Sequence, residues 1–176
     1  MKVEFLWFPR YNRLMKIKIF ATGGTIDCEK IDTDDKYIFG DTHLPKMLEQ
    51  GRNKIDTKVE ILMMKDSLLM DDNDREEILK KCLSCTEDKI VITHGTDTMS
   101  ETARYLGEKI KNKTVVLVGA ITPYNEDFSD AMFNLGTALA NVQLLAKGTY
   151  ISMNGKVFNW DNVKKNKKLG VFETLV

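Results

Sequence analysis

The sequence predicts a single α/β domain, a doubly wound and mostly parallel sheet with a β-hairpin near the C-terminus. Three observations point there. Short β-branched runs alternate with helical patterns through the middle of the chain, as in successive βαβ units. Val115 to Gly119 is continuously apolar, the pattern of a strand buried on both faces. The 176 residues hold neither an internal repeat nor a Gly/Ser/Pro linker, which leaves space for one ordinary domain with a small extension.

Taken in order, Lys16 to Ala21 reads as the first strand and breaks at Thr22-Gly23-Gly24-Thr25. Asp27 to Asp41 is polar and without period, so it reads as a long loop, and loops of that length in compact domains are usually functional or disordered. Leu44 to Gln50 reads as a short helix ended by Gly51, and Thr57 to Met63 as a second strand. Asn73 to Cys85 has Ile78, Leu79, Cys82 and Leu83 at helical spacing. Lys89 to Thr93 is a third strand, followed by His94-Gly95-Thr96-Asp97 and a helix that Thr98 and Glu101 open as a capping box. After the Val115–Gly119 strand come a loop over Pro123–Ser129, an apolar helix over Asp130–Leu145, and a fifth strand over Thr149–Met153. Asn154-Gly155 is a hairpin turn signal. Residues 1–14 mix Trp7, Phe8, Pro9, Arg10 and Arg13 without the continuous apolar stretch of a secretory signal. They read as an extension, an upstream start or a vector-derived leader, to a domain over residues 15–176.

Composition narrows the function classes. Charged residues are 30% and hydrophobic ones 43%, a globular rather than disordered balance. Lys plus Arg and Asp plus Glu are 26 each, which argues against a broad electrostatic footprint for nucleic acid or an anionic membrane. The longest apolar run, Thr114 to Ile121, is far short of the ~20 residues of a membrane helix. A soluble protein of a reducing cytoplasm is expected, since Cys28, Cys82 and Cys85 are too few for a disulfide framework. Cys82-Leu83-Ser84-Cys85 has metal-like spacing but no second ligand pair, and reads as two thiols on one helix face.

In an open parallel sheet, ligands bind beyond the carboxyl ends of the strands, where strand order reverses. Here those ends carry Thr22 to Ile26, Asp66-Ser67, Thr93 to Met99, and Gly119 to Pro123. Hydroxyls and small residues dominate, and no Ser-His-Asp set is evident. Taken alone, Thr22-Gly23-Gly24-Thr25 is either a bare strand-exit turn or a threonine hydroxyl displayed on an amide-lined turn, a nucleophile beside an oxyanion hole. It lacks the features of a phosphate loop or dinucleotide fingerprint. Asp97 either favours a helix N-terminus or binds a substrate ammonium, with Thr96 as a second reactive hydroxyl. His94, lodged between a strand and a glycine, reads as structural. A lysine positioned by a carboxylate is then the alternative activator of a threonine, and Tyr37 a proton relay. The basic run Lys164-Lys165-Asn166-Lys167-Lys168 reads by itself as a solvated surface.

Ala21-Thr22-Gly23-Gly24-Thr25-Ile26 and Ile92 to Met99, in that order and each behind a strand, resemble the two signature motifs of the bacterial-type L-asparaginase family. The similarity continues through Val116 to Ala120 with Pro123, through Phe133-Asn134-Leu135 and through Ser152-Met153-Asn154, and spans roughly Lys16 to Thr174. The resemblance implies a hydrolase of asparagine, working without metal or cofactor. It places the nucleophile at Thr25 and an assisting lid tyrosine at Tyr37. It puts the second threonine at Thr96, the substrate-binding aspartate at Asp97, and the substrate's α-carboxylate at Ser67 within Asp66-Ser67. Gly95 falls in the same substrate-binding motif, and Ala120 at the carbonyl facing the leaving nitrogen. The catalytic lysine falls on Val163 to Asn166, at Lys165 or, with a one-residue shift, Lys164. Leu68 and Thr122 stand where many members have glutamine and arginine, which favours L-asparagine over L-glutamine. A one-domain enzyme whose site lies open at the sheet edge would gain from a neighbour covering it, so a homodimer or homotetramer is expected; the resemblance implies that the second, C-terminal domain of most members is absent from these residues. Two other readings stay open: an ammonia-supplying amidase subunit of an amidotransferase, and a small-ligand-binding α/β protein without turnover.

Overall fold

The structure is a computed structural model that describes residues 15–31 and 37–175; the expected extension over residues 1–14 lies outside the described residues. Its centre is a six-stranded sheet. In chain order its strands are β1 (Lys16–Gly23), β4 (Asp56–Lys65), β5 (Lys89–Thr93), β6 (Thr114–Val118), β7 (Gly148–Met153) and β8 (Lys156–Asn159). Between β1 and β4 lie a small hairpin, β2 (Cys28–Ile31) and β3 (Tyr37–Phe39), and the helix α1 (Leu44–Gln50). The other helices are α2 (Asp72–Ser84), α3 (Met99–Lys109) and α4 (Ala131–Leu144), and a second hairpin, β9 (Lys164–Asn166) and β10 (Val171–Glu173), follows β8.

The sheet order is β4-β1-β5-β6-β7-β8, parallel throughout except for the antiparallel β8 at one edge. Patterning explains the order. The β-branched runs of β5 and β6 are buried from Ile90 and Thr114 onward, and β1 from Ile17, so these strands occupy the middle with both faces covered. In β4 half-buried residues alternate with Asp56, Lys58 and an exposed Ile61, as suits an edge strand. β8 returns through Asn154-Gly155, both at positive φ (55° and 73°), the two-residue turn that the sequence signals.

The helices pair. α2 meets α3 through Arg75–Glu101 (3.2 Å) and Tyr105–Glu76 (2.7 Å), while Met47 and Leu48 of α1 face Met132, Leu135 and Leu139 of α4 across an apolar groove. The central strands are buried on both sides. β1 lies between β4 and β5, so strand order reverses beside it and the cleft opens beyond the ends of β1 and β5.

Two local expectations need correction. Asp27 to Asp41 is not one structureless loop: Cys28 and Ile31 pair with Phe39 and Tyr37 in the β2–β3 hairpin. Thr98 precedes α3 but forms no capping box with Glu101, because its hydroxyl donates to the Ser67 carbonyl (2.9 Å) and Glu101 turns to Arg75. The capping box sits instead on α2, where Asp71 accepts from the Asp74 amide and Asp74 from the Asp71 amide.

Candidate active site

The carboxyl end of β1 is held from both sides. Thr22 Oγ1 donates to the Thr93 carbonyl of β5 (2.6 Å), and the Gly24 amide donates to the Lys65 carbonyl of β4 (3.0 Å). Gly24 has φ 78° and ψ 178°, a conformation open essentially to glycine alone. It also needs the space: a β-carbon there would lie 2.2 Å from the Gly95 nitrogen. The chain then makes one 3-10 turn, Thr25–Asp27, which presents Thr25 at 8% exposure. Thr25 Oγ1 lies 3.4 Å from the hydroxyl of Tyr37, which the β2–β3 hairpin brings back over the turn. The two residues are thus juxtaposed by a hairpin rather than by a loop.

A similar construction follows β5. His94 donates its amide to the Val118 carbonyl, so the chain leaves the sheet pinned to β6 (2.8 Å). Its ring is fully buried, with Nδ1 2.7 Å from the Gly95 carbonyl and Nε2 2.9 Å from Thr102 Oγ1. A carbonyl can only accept, so Nδ1 carries the proton and Nε2 accepts from the threonine. Burial pushes the pKa down to about 4, so the ring is neutral at ordinary pH. His94 is a core hydrogen-bonding residue, as its position between strand and glycine suggests.

Thr96 and Asp97 meet Lys165. The ammonium donates to Thr96 Oγ1 (2.7 Å) and to Asp97 Oδ1 (2.8 Å), and the lysine side chain is only 14% exposed. Lys164, next along β9, points to the other side and pairs with Glu173 (3.4 Å). Strand alternation thus sends one lysine of the basic run inward and the other to the surface. Pairing of β9 with β10 sets which one, through the register Lys165 to Phe172.

Ser67 and Asp66 lie at the end of β4. Asp66 accepts from the Leu68 amide (3.0 Å) and shapes the short turn; it braces Ser67 rather than standing free. Ser67 is 1% exposed, its hydroxyl has no hydrogen-bond partner, and it abuts Gly95, where a β-carbon would come within 2.5 Å of it. An unpartnered buried hydroxyl is costly unless something else supplies a partner. Ala120 is fully buried just past β6, and the preceding Gly119 lies against Thr96, its β-carbon position 3.2 Å from Thr96 Cγ2. The structure therefore brings Thr25 with Tyr37, Gly95 with Ser67, and Thr96 with Asp97 and Lys165 to adjoining strand ends.

Sequence reasoning assigned no part to three further residues. Asn134 on α4 donates to the Gly119 carbonyl (3.0 Å) and to Asp130 (2.8 Å) and accepts from the Asn154 amide (3.1 Å). Asn154 Oδ1 in turn accepts from the Phe172 amide of β10 (3.3 Å), so a polar chain runs from the Ala120 segment to the hairpin that carries Lys165. Asp27, two residues beyond Thr25, is fully buried and accepts from Thr42, His43 and Thr93. Asn134 and Asn154 fall within similarity segments without a role of their own, and Asp27 reads locally as one more polar loop residue.

Residues 16–172 match the family model for the asparaginase N-terminal domain. The chain belongs to the asparaginase family. It is 34% identical over 170 residues to "Probable L-asparaginase periplasmic" of Haemophilus influenzae, covering 90% of this chain and 48% of that protein. The L-asparaginase of Thermococcus kodakarensis is 34% identical over 164 residues, with 89% and 49% covered. A glutamyl-tRNA(Gln) amidotransferase subunit of the same organism is 33% identical over 168 residues, with 88% and 37% covered. Among solved structures, a "Probable Cytoplasmic L-asparaginase" from Campylobacter jejuni superimposes with a TM-score of 0.77 at 36% identity, over 91% of this chain and 51% of that one. This asparaginase-family chain spans about half the length of the curated relatives it matches.

Proposed function

We propose that this domain hydrolyses L-asparagine to L-aspartate and ammonia through an acyl-enzyme on Thr25. The observation that carries the reading is the Thr96–Lys165–Asp97 cluster, a threonine hydroxyl and a carboxylate both within 2.8 Å of one largely buried ammonium. It sits at the strand end next to the one that presents Thr25 and Tyr37. In the first step Thr25 Oγ attacks the side-chain carboxamide carbon and its proton passes toward Tyr37. Backbone amides around Thr25 and Thr96 take the negative charge of the tetrahedral intermediate. The C–N bond then breaks and ammonia leaves with the transferred proton. In the second step water attacks the β-aspartyl ester, the Thr96–Lys165–Asp97 group carries the proton, and Thr25 is regenerated. Ser67, whose buried hydroxyl lacks a protein partner, holds the α-carboxylate, Asp97 the α-ammonium, and the Ala120 carbonyl faces the leaving nitrogen. Closure of the β2–β3 hairpin excludes water.

Ammonia release from L-asparagine and L-glutamine tests the reading. Thr25→Ala and Lys165→Met are expected to lower turnover at least about a hundredfold, and Lys164→Met to leave it near wild type. No release from either amide by the folded wild type, or an active Thr25→Ala, overturns it. The 33% identity to a tRNA-dependent amidotransferase subunit favours a second reading, in which the same chemistry supplies ammonia to a partner enzyme. We place the protein in the cytoplasm as a homodimer or homotetramer. A cytoplasmic label on one structural relative supports the first, against the periplasmic label on one curated relative. Among the described residues no helix is long and apolar enough to cross a membrane.

A further inference from the structure

Asp27 is an acidic side chain with no solvent access, and burial raises its pKa above the ordinary carboxylate value. A group of this kind costs stability when ionised, so its partners matter. Oδ1 accepts from Thr42 Oγ1 (2.8 Å) and the His43 amide (2.9 Å), and Oδ2 from Thr93 Oγ1 (3.3 Å). These donors lie at distinct places in the fold. Asp27 ends the turn that begins with Thr25 and immediately precedes β2. Thr42 and His43 follow β3 and lead into α1, so they are where the hairpin carrying Tyr37 returns. Thr93 ends β5, three residues before Thr96. One carboxylate therefore joins both feet of the β2–β3 hairpin to each other and to the strand that delivers Thr96.

We propose that Asp27 is a positioning residue, clamping the base of the Tyr37 hairpin to the end of β5 so that Tyr37 meets Thr25 in a fixed pose. This rests on the reading of Thr25 as nucleophile and Tyr37 as its assistant. The geometry gives the clamp its use: the Thr25–Tyr37 contact, at 3.4 Å, is long for a hydroxyl–hydroxyl bond, so the relative pose of the two groups depends on a fixed hairpin base. A further link holds the hairpin at the surface, from Asn125 Nδ2 to the Glu29 carbonyl (2.6 Å).

The test compares Asp27→Ala, which deletes the acceptors, with Asp27→Asn, which keeps the shape and an oxygen for Thr42 and His43. Two readouts are taken on each folded protein: steady-state ammonia release from L-asparagine, and amide hydrogen exchange of Tyr37 to Phe39. Asp27→Ala is expected to lower kcat about ten- to a hundredfold with KM within about threefold, and to speed exchange of the hairpin amides. Asp27→Asn is expected to restore kcat to within about threefold of wild type. Thr42→Val, which removes a single donor, gives a smaller change in the same direction and serves if Asp27→Ala does not fold. A folded Asp27→Ala, or Thr42→Val in its place, with wild-type kcat and unchanged exchange overturns the proposal, as does an Asn variant as impaired as Ala, which assigns the effect to charge. Absence of turnover in the wild type would count against the amidohydrolase reading alone, since exchange of the hairpin amides still reports the clamp.

Discussion

A histidine lying between Thr93 and Thr96 in the sequence invites a catalytic role, and the hydrogen bonds of His94 decide against it. Both ring nitrogens are used inside the core, and burial holds the pKa near 4. The consequence is a pH signature in stability. The unfolded chain takes up a proton near the usual histidine value of about 6.5, and the folded protein only near 4. The stabilisation is therefore complete above about pH 6.5 and is lost as pH falls toward 4, amounting to about 2 kcal/mol between pH 7 and 5. Urea unfolding at those two pH values measures it. His94→Gln is expected to flatten the difference, and an unchanged slope in that variant would assign the acid sensitivity to other groups. Asp27 acts with the opposite sign, because its raised pKa makes the folded state the better proton acceptor as pH falls. The His94→Gln comparison separates the two.

At the scale of elements, the site depends on how closely strand ends approach one another. Gly24 lies against Gly95 with no room for a side chain and in a backbone region that other residues avoid. Gly24→Ala is expected to lose at least about 2 kcal/mol of stability from backbone strain alone, with more from the displaced Gly95. A thermal melt unchanged from wild type would show that the two turns can separate freely. The strand ends were legible in the sequence because each is a local event: a β-branched run stops and glycines and threonines follow it. Lys165 was legible only to within a residue, since strand alternation separates Lys164 from Lys165 but the pairing with β10 decides which faces inward. The β2–β3 hairpin was not legible, because its strands are only four and three residues long and neither shows a clean alternation. Asp27 and Thr98 escaped local reading for one reason. Each side chain takes its partner from a distant element, Asp27 from Thr93 and Thr98 from Ser67, and local sequence carries no record of such choices.

For the molecule as a whole, the fold class, strand sequence and hairpin turn follow from patterning. No residue of α4 is charged, and its outer side exposes Phe133 (60%) and Leu144 (79%), an unusual surface for a helix that only faces water. That surface is in keeping with a protein that associates. Light scattering at assay concentration is expected to give the mass of a dimer or tetramer; a monomer with full activity would refute the expectation.

The delivery of Lys165 by β9 has a consequence for how the protein is made. Thr25 comes early in the chain and Lys165 long after it, and the lysine meets Thr96 across 69 positions of chain. A ribosome releases these groups in that order, so a growing chain carries both threonines long before it carries the amine. Even then β9 needs β10 to fix its register. On the proposed reading the site is therefore assembled only once β10 has been made, and a polypeptide cut short before Val171 would carry every earlier motif without the strand that fixes its lysine.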